Sequence, residues 1–118
     1  MDAQQVATFA QEWLQAWNQR DVEAILSHYA EDVEFRSLIA VRLLGETSGT
    51  IRGRAHLREF LGKVLAAFPG NPEIELLGVF RGVDSLVVHF QSKGRRAAEV
   101  MELNQSGKIC RAMAHGQI

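Results

Sequence analysis

The feature that most restricts this chain is a change of hydrophobic period part-way along it. Up to about residue 32, and again over 53–68, apolar residues recur at helical spacing. From about residue 73 onward they fall in four runs of similar length, separated by short turn signals. Val6, Phe9, Ala10, Trp13, Leu14 and Trp17 mark one face of a first helix over 4–18. Asp21 reads as the N-cap of a second helix, carrying Val22, Ile25, Leu26 and Tyr29 and closing at 30–32. Val33, Phe35 and Ser37 then alternate with Glu34 and Arg36, which predicts a half-buried strand. Residues 38–52 read as a loop or flap, with 50–52 able to form a short strand. Gly53 opens a third helix with Leu57, Phe60, Leu61, Val64, Leu65 and Phe68 on its apolar side, and Pro69 to Pro72 stop it. Strands are predicted at 73–82, 84–93, 96–105 and 108–116.

Helices followed by a meander of strands define an α+β protein with the helices on one face of the sheet. A long sheet curls as it twists. Three N-terminal helices laid across the concave side of a curved antiparallel sheet would enclose a cone-shaped hollow lined by apolar groups. Nothing in residues 1–118 marks an internal repeat or a linker, so the chain reads as a single domain.

The remaining composition excludes some function classes. Thirteen basic and fourteen acidic side chains give a net charge of −1, without the basic stripe that nucleic acid requires. No apolar run approaches the roughly 20 residues of a membrane span, and the first residues do not resemble a signal peptide. A lone cysteine, Cys110, permits no intramolecular disulfide and reads as a structural thiol on a strand. A cytoplasmic location follows as the expectation. His28, His56, His89 and His115 stand 28, 33 and 26 residues apart, which is no local metal motif, and no cofactor is implied. Alternation turns His89 away from the hollow, with Val87 and Gln91. It groups His115 with Ile109, Arg111 and Met113 on the same outer face as Val100 and Glu102. A sheet with apolar residues on both faces needs a partner, so this outer face is expected to form a homodimer.

Three stretches carry a resemblance: Trp13-Leu-Gln-Ala-Trp-Asn-Gln-Arg-Asp21, Ile25-Leu-Ser-His-Tyr-Ala-Glu-Asp-Val-Glu-Phe35, and Gly49-Thr-Ile-Arg-Gly53 with Leu57-Arg-Glu-Phe60. Together they resemble the nuclear transport factor 2-like superfamily, in its SnoaL-like and ketosteroid-isomerase-like branch. The resemblance implies the cone-shaped α+β fold and a homodimer. It also implies a chemistry built on three groups: an acidic base near the end of the first strand, a tyrosine on the first helix, and a protonated acid on a late strand. The matching positions here are Ser37, Trp13 and Glu99. A serine hydroxyl cannot abstract a carbon-bound proton without an activating partner, and an indole N–H donates a hydrogen bond but transfers no proton. Glu99 alone survives in kind. Alternation places it with Met101 and Leu103, where apolar neighbours would raise its pKa.

The candidate site is therefore Glu99 as acid–base group and Ser37 as a polar helper. Trp13, Trp17, Tyr29, Phe35, Phe60, Val88, Phe90 and Met101 form the candidate lining for a small hydrophobic ligand. Core filling accounts better for Trp17 and Phe60, and equally well for Trp13, Phe35 and Phe90. Three functions follow: an isomerase, cyclase or hydrolase acting through Glu99; a non-catalytic binder of an apolar ligand; or a dimeric assembly module whose interior is plugged by Trp13, Trp17 and Phe35.

Overall fold

The computed structural model describes every residue except Glu46. The chain runs α1 (Ala3–Asn18), α2 (Val22–Leu26), β1 (Tyr29–Arg36), α3 (Leu38–Leu44), β2 (Thr50–Arg52), α4 (Arg54–Ala67), β3 (Glu75–Gly82), β4 (Ser85–Ser92), β5 (Arg95–Leu103) and β6 (Ile109–Gly116). The six strands form one curved, unclosed sheet in the order β2-β1-β6-β5-β4-β3. Every neighbouring pair is antiparallel except β1 and β6, which are parallel, so the sheet is mixed. The expected α+β layering holds: the helices lie on the concave face and the core between them.

Local chemistry explains most boundaries. Asp2 caps α1 in a capping box, its carboxylate accepting from Gln5 N while the Gln5 side chain accepts from Asp2 N. Asp21 caps α2 as the sequence predicts, accepting from Ala24 N at 3.1 Å. The β4–β5 turn carries Lys93 (φ 51°) and Gly94 (φ 82°), the pair of positive φ angles that a tight hairpin demands. All four meander strands start and end within two residues of their predicted limits.

Three readings are corrected. The second helix ends at Leu26, and residues 29–32 belong to β1. Ile109 N donates to His28 O, and Tyr29 pairs with Ile109, so tertiary pairing captures a segment whose Glu31 and Asp32 looked like a helix end. Within 38–52 the apolar run forms a short helix, α3, and 50–52 form β2. Among the described residues there are thus four helices rather than three. Ile109 is fully buried rather than on the outer face. A register shift between Glu102 and Leu103 pairs Ile109 with Leu103 and breaks simple alternation.

The core joins α1, α2 and α4 to the concave face. Val6, Ala10, Trp13, Ile25, Leu26, Val33, Leu57, Leu61, Leu86, Val88, Met101 and Ile109 are each at most 4% exposed. Burying one such large aliphatic or aromatic side chain stabilises the fold by roughly 1.5–3 kcal/mol. Two polar clasps tie the helices to the rest. The Asn18 side chain donates to Ile74 O and accepts from Ile74 N, at 3.0 and 2.7 Å. The Arg20 guanidinium donates to Leu65 O, Phe68 O and Gly70 O at 2.7–2.9 Å, capping the C-terminus of α4.

Candidate functional site

Register places the interior residues in rows across the sheet. One row runs Val79, Val88, Glu99, Ala114; the next runs Arg81, Leu86, Met101, Ala112, Phe35, Ile51. Glu99 therefore projects from β5 into the concave side with an apolar residue on each flank. It is the buried charged residue of the core, 4% exposed. Such burial penalises the carboxylate, and its pKa is pushed up to about 7 from the ordinary 4.5. The Tyr29 hydroxyl, by hydrogen bonding, pulls it partly back down.

Tyr29 is the hub of the site. Its hydroxyl donates to Glu99 Oε2 at 3.2 Å and accepts from Trp13 Nε1, also at 3.2 Å. Burial raises the phenol well above its ordinary value, and the neighbouring carboxyl adds to that, so it stays protonated. The structure thus brings three of the singled-out residues into one buried chain: Trp13 from α1, Tyr29 from β1, Glu99 from β5. The resemblance matched Trp13 and Glu99 to two of its three chemical groups. Here both are engaged by the Tyr29 hydroxyl.

The aromatic residues form a connected shell around this chain. Trp13 meets Phe90 and Trp17 edge-on, with ring centroids 5.4 and 6.3 Å apart. Tyr29 meets Phe35 at 6.1 Å, and Phe35 meets Phe60 at 5.9 Å. Val88 and Met101 complete the wall without exposed surface. Trp17 and Phe90 are partly exposed and form its outer edge. The fold also forms two surface concavities. One, of about 180 Å³, lies between the N-terminus of α1 and the β3–β4 and β5–β6 turns. The other, of about 270 Å³, lies on the outer sheet face beside His89, Ala98 and His115. Neither is lined by Trp13, Tyr29 or Glu99.

Ser37 has a different role from the one expected. It follows the last β1 residue, and its hydroxyl accepts from Ile39 N at 3.1 Å as the N-cap of α3. One step beyond the Arg36–Met113 pairing would set it beside Ala114, which pairs with Glu99. Two strand spacings, about 10 Å between Cα atoms, then separate the two positions.

The other groups fall outside the site. His28 lies in the turn before β1, edge-on to Phe9 at 5.4 Å, and burial lowers its pKa. His89 and His115 flank Ala98 in one row of the outer face, as alternation predicts. Cys110 is half-buried and its thiol donates to Glu102 O at 3.4 Å. The polar role of Tyr29 escaped sequence reading, which singled it out only as a cavity-lining ring. A strand beginning at Tyr29 would have pointed its hydroxyl inward, but the irregular β1–β6 register at 29–34 hides that period.

Taken together, a four-helix cover on a curved mixed sheet, with a buried Trp–Tyr–Glu chain in its concavity, defines an α+β cone protein of the nuclear transport factor 2-like class. The SnoaL-like domain profile matches residues 10–116, and the chain belongs to that family. A SnoaL-like protein of unknown function from Burkholderia thailandensis is 34% identical, with a TM-score of 0.92, covering 99% of this chain and 98% of that one. An NTF-2 like protein of unknown function from Burkholderia xenovorans is 17% identical with a TM-score of 0.71, over 97% and 84% of the two chains. A protein with a ketosteroid isomerase-like fold from Catenulispora acidiphila, in complex with trimethylamine, is 15% identical with a TM-score of 0.69, over 91% and 83%. The latter two likenesses are of fold alone. No curated protein matches the sequence. Among the described residues, no helix is long and apolar enough to cross a membrane.

Proposed function

We propose that this protein binds a small, flat, hydrophobic molecule in the concavity between α1 and the sheet, where Glu99 exchanges a proton with it. The observation that carries this reading is the Tyr29 hydroxyl bonded to Glu99 Oε2 at 3.2 Å inside an otherwise apolar wall. A carboxyl in that setting destabilises the fold whenever it ionises, and an apolar residue of similar size would avoid the cost. Groups retained at such a cost concentrate at sites of proton transfer. A carboxyl that titrates near neutrality is matched to general acid–base work, which fits an isomerase, cyclase or hydrolase step. A steroid-type isomerase is disfavoured, because the position that would supply its base is Ser37, whose hydroxyl caps α3. Proton exchange on a 3-oxo-steroid, lost in Glu99→Gln, would overturn that exclusion. Entry of a ligand requires the partly exposed rings of Trp17 and Phe90 to move aside.

Titration with the neutral dye N-phenyl-1-naphthylamine tests the reading. Saturable binding at one site per chain is expected, with an affinity that changes between pH 5.5 and 8.5 in the wild type and stays constant in Glu99→Gln. Absence of saturable binding, or the same pH response in both proteins, contradicts it.

A second reading concerns assembly and is compatible with the first. The outer sheet face carries a cross-strand row of Phe80, Val87, Val100 and Met113, with Phe80 60% exposed. We propose that this row joins two copies of the chain, since a partly exposed apolar strip of that length on a sheet face favours burial. Light scattering should give twice 13.2 kDa, and Val100→Glu should return the mass to that of one chain. A wild-type mass of 13.2 kDa would refute the dimer.

A further inference from the structure

The 270 Å³ concavity on the outer sheet face has a lining of unbalanced charge. His89, Arg96, His115 and Gln117 surround a floor that includes Ala97 and Ala98, and no aspartate or glutamate lines it. Sheet register puts these groups together. His89 on β4 and His115 on β6 flank Ala98 of β5, and Arg96 pairs with Gln91 in the next row. Small side chains at 97 and 98 keep the space between the longer ones open. The row of His89 and His115 lies roughly 7 Å, two residues along each strand, from the apolar row proposed to join two copies.

The hydrogen bonds of these side chains decide what the concavity can hold. Among the described residues, the Arg96 guanidinium and the His89 ring have no hydrogen-bond or ion-pair partner. Gln117 uses its carboxamide oxygen to accept from Arg96 N at 3.3 Å, which leaves its N–H2 as a donor. His115 Nδ1 stands 3.1 Å from Met113 O, and a carbonyl can only accept, so Nδ1 carries the proton. Its Nε2 is then an acceptor in the neutral ring and a donor in the protonated one. The charged groups around the two rings are mostly cationic: Arg96 on β5, Arg36 beside Met113 on β1, and Arg42 on α3, which packs against β6. Glu75 on β3 is the exception, and it accepts from Gln91 Nε2 at 3.0 Å. Glu99 lies on the opposite face of the sheet.

We propose that this concavity binds a small organic carboxylate, with Arg96 and the Gln117 N–H2 holding its oxygens and its apolar part on the Ala97–Ala98 floor. A planar guanidinium matches a carboxylate with two parallel hydrogen bonds. Inorganic phosphate would leave the alanine floor unused. Histidine changes charge between about pH 5 and 8, and protonation turns His115 Nε2 from an acceptor into a donor. Binding therefore takes up protons and tightens as pH falls. This site is separate from the interior one and does not depend on it.

Isothermal titration calorimetry with benzoate, which stays ionised throughout, tests the proposal at pH 5.5 and 8.0. Binding should be saturable and roughly 10-fold tighter at pH 5.5, the worth of one charge-assisted hydrogen bond. Arg96→Gln should weaken it by about 10-fold or more at both pH values, and His115→Gln should remove most of the pH response. Both side chains are exposed, so neither variant threatens the fold. Benzamide, which keeps the ring but not the charge, should bind about 10-fold more weakly than benzoate. In protein labelled with 15N at histidine, the His89 and His115 ring signals should move with benzoate while that of His56 stays. Absence of saturable binding, equal affinity at the two pH values, or full affinity in Arg96→Gln would each overturn the proposal. So would benzamide or inorganic phosphate binding as tightly as benzoate, or unmoved His89 and His115 signals. Any of these results leaves the reading of the interior untouched.

Discussion

Replacing Glu99 with glutamine should remove a specific pH dependence from the stability of this protein. In the folded chain the Glu99 carboxyl titrates at about 7, and in the unfolded chain at its ordinary 4.5. Between those values the folded state holds a proton that the unfolded state has released, so stability falls as pH rises through that window. Below 4.5 both states are protonated and the group contributes no slope. Above about 7 both are ionised and the penalty is complete. Each unit of pKa difference is worth roughly 1.4 kcal/mol, so the full penalty is about 3 kcal/mol. Glutamine keeps the shape and can accept from Tyr29, but it cannot ionise. Urea denaturation followed by tryptophan fluorescence, for wild type and Glu99→Gln at pH 4.5, 5.5, 6.5, 7.5 and 8.5, reads the effect. The quantity to follow is the stability of the variant minus that of the wild type, because contributions from His28 and other shared groups cancel in it. That difference should climb by about 3 kcal/mol across the series. A flat difference, or one that declines with pH, would refute the reasoning, since it would mean that Glu99 is hydrated or already charged in the fold.

Two other outcomes follow from the clasps and turns. Arg20→Ala removes three charged donors from the carbonyls that end α4 and should lower stability by about 2 kcal/mol in the same urea assay. A loss under roughly 0.5 kcal/mol would show that water replaces the guanidinium freely. Gly49→Ala should cost about 1–3 kcal/mol, because Gly49 has φ +65° and an added Cβ would stand 2.9 Å from Ser37 O. A neutral effect there would mean that the segment joining Ser37 to Gly49 repacks without strain.

The parts of the fold governed by local chemistry were legible in the sequence. The period-2 runs from residue 75 onward sit between short hairpin turns, which fix register within each pair, so the inward placement of Glu99 with Met101 followed directly. The facing of His89 and His115 followed by the same logic. Where long-range pairing decides, the sequence was a poor guide. Residues 29–32 read as a helix end because Glu31 and Asp32 are polar, yet the backbone there is claimed by β6, 80 residues away at Tyr29–Ile109. That error concealed the inward hydroxyl of Tyr29, the centre of the candidate site. Ser37 was read as the last residue of the first strand, but that strand ends at Arg36. Its hydroxyl is committed to Ile39 because the apolar run from Leu38 to Leu44 forms α3, which an N-cap stabilises. Arg20 gave no local signal at all: a single arginine after a helix looks solvated until the end of α4 is placed beside it.

The chemistry proposed for this protein depends on the state of one carboxyl group, whose titration can be observed without unfolding the protein. In protein labelled with 13C at glutamate side chains, the Glu99 carboxyl carbon, assigned by its absence in Glu99→Gln, should titrate with a midpoint near pH 7. A midpoint near 4.5 would contradict the central claim, because the group would then be solvated like any surface glutamate and unsuited to proton exchange at neutral pH.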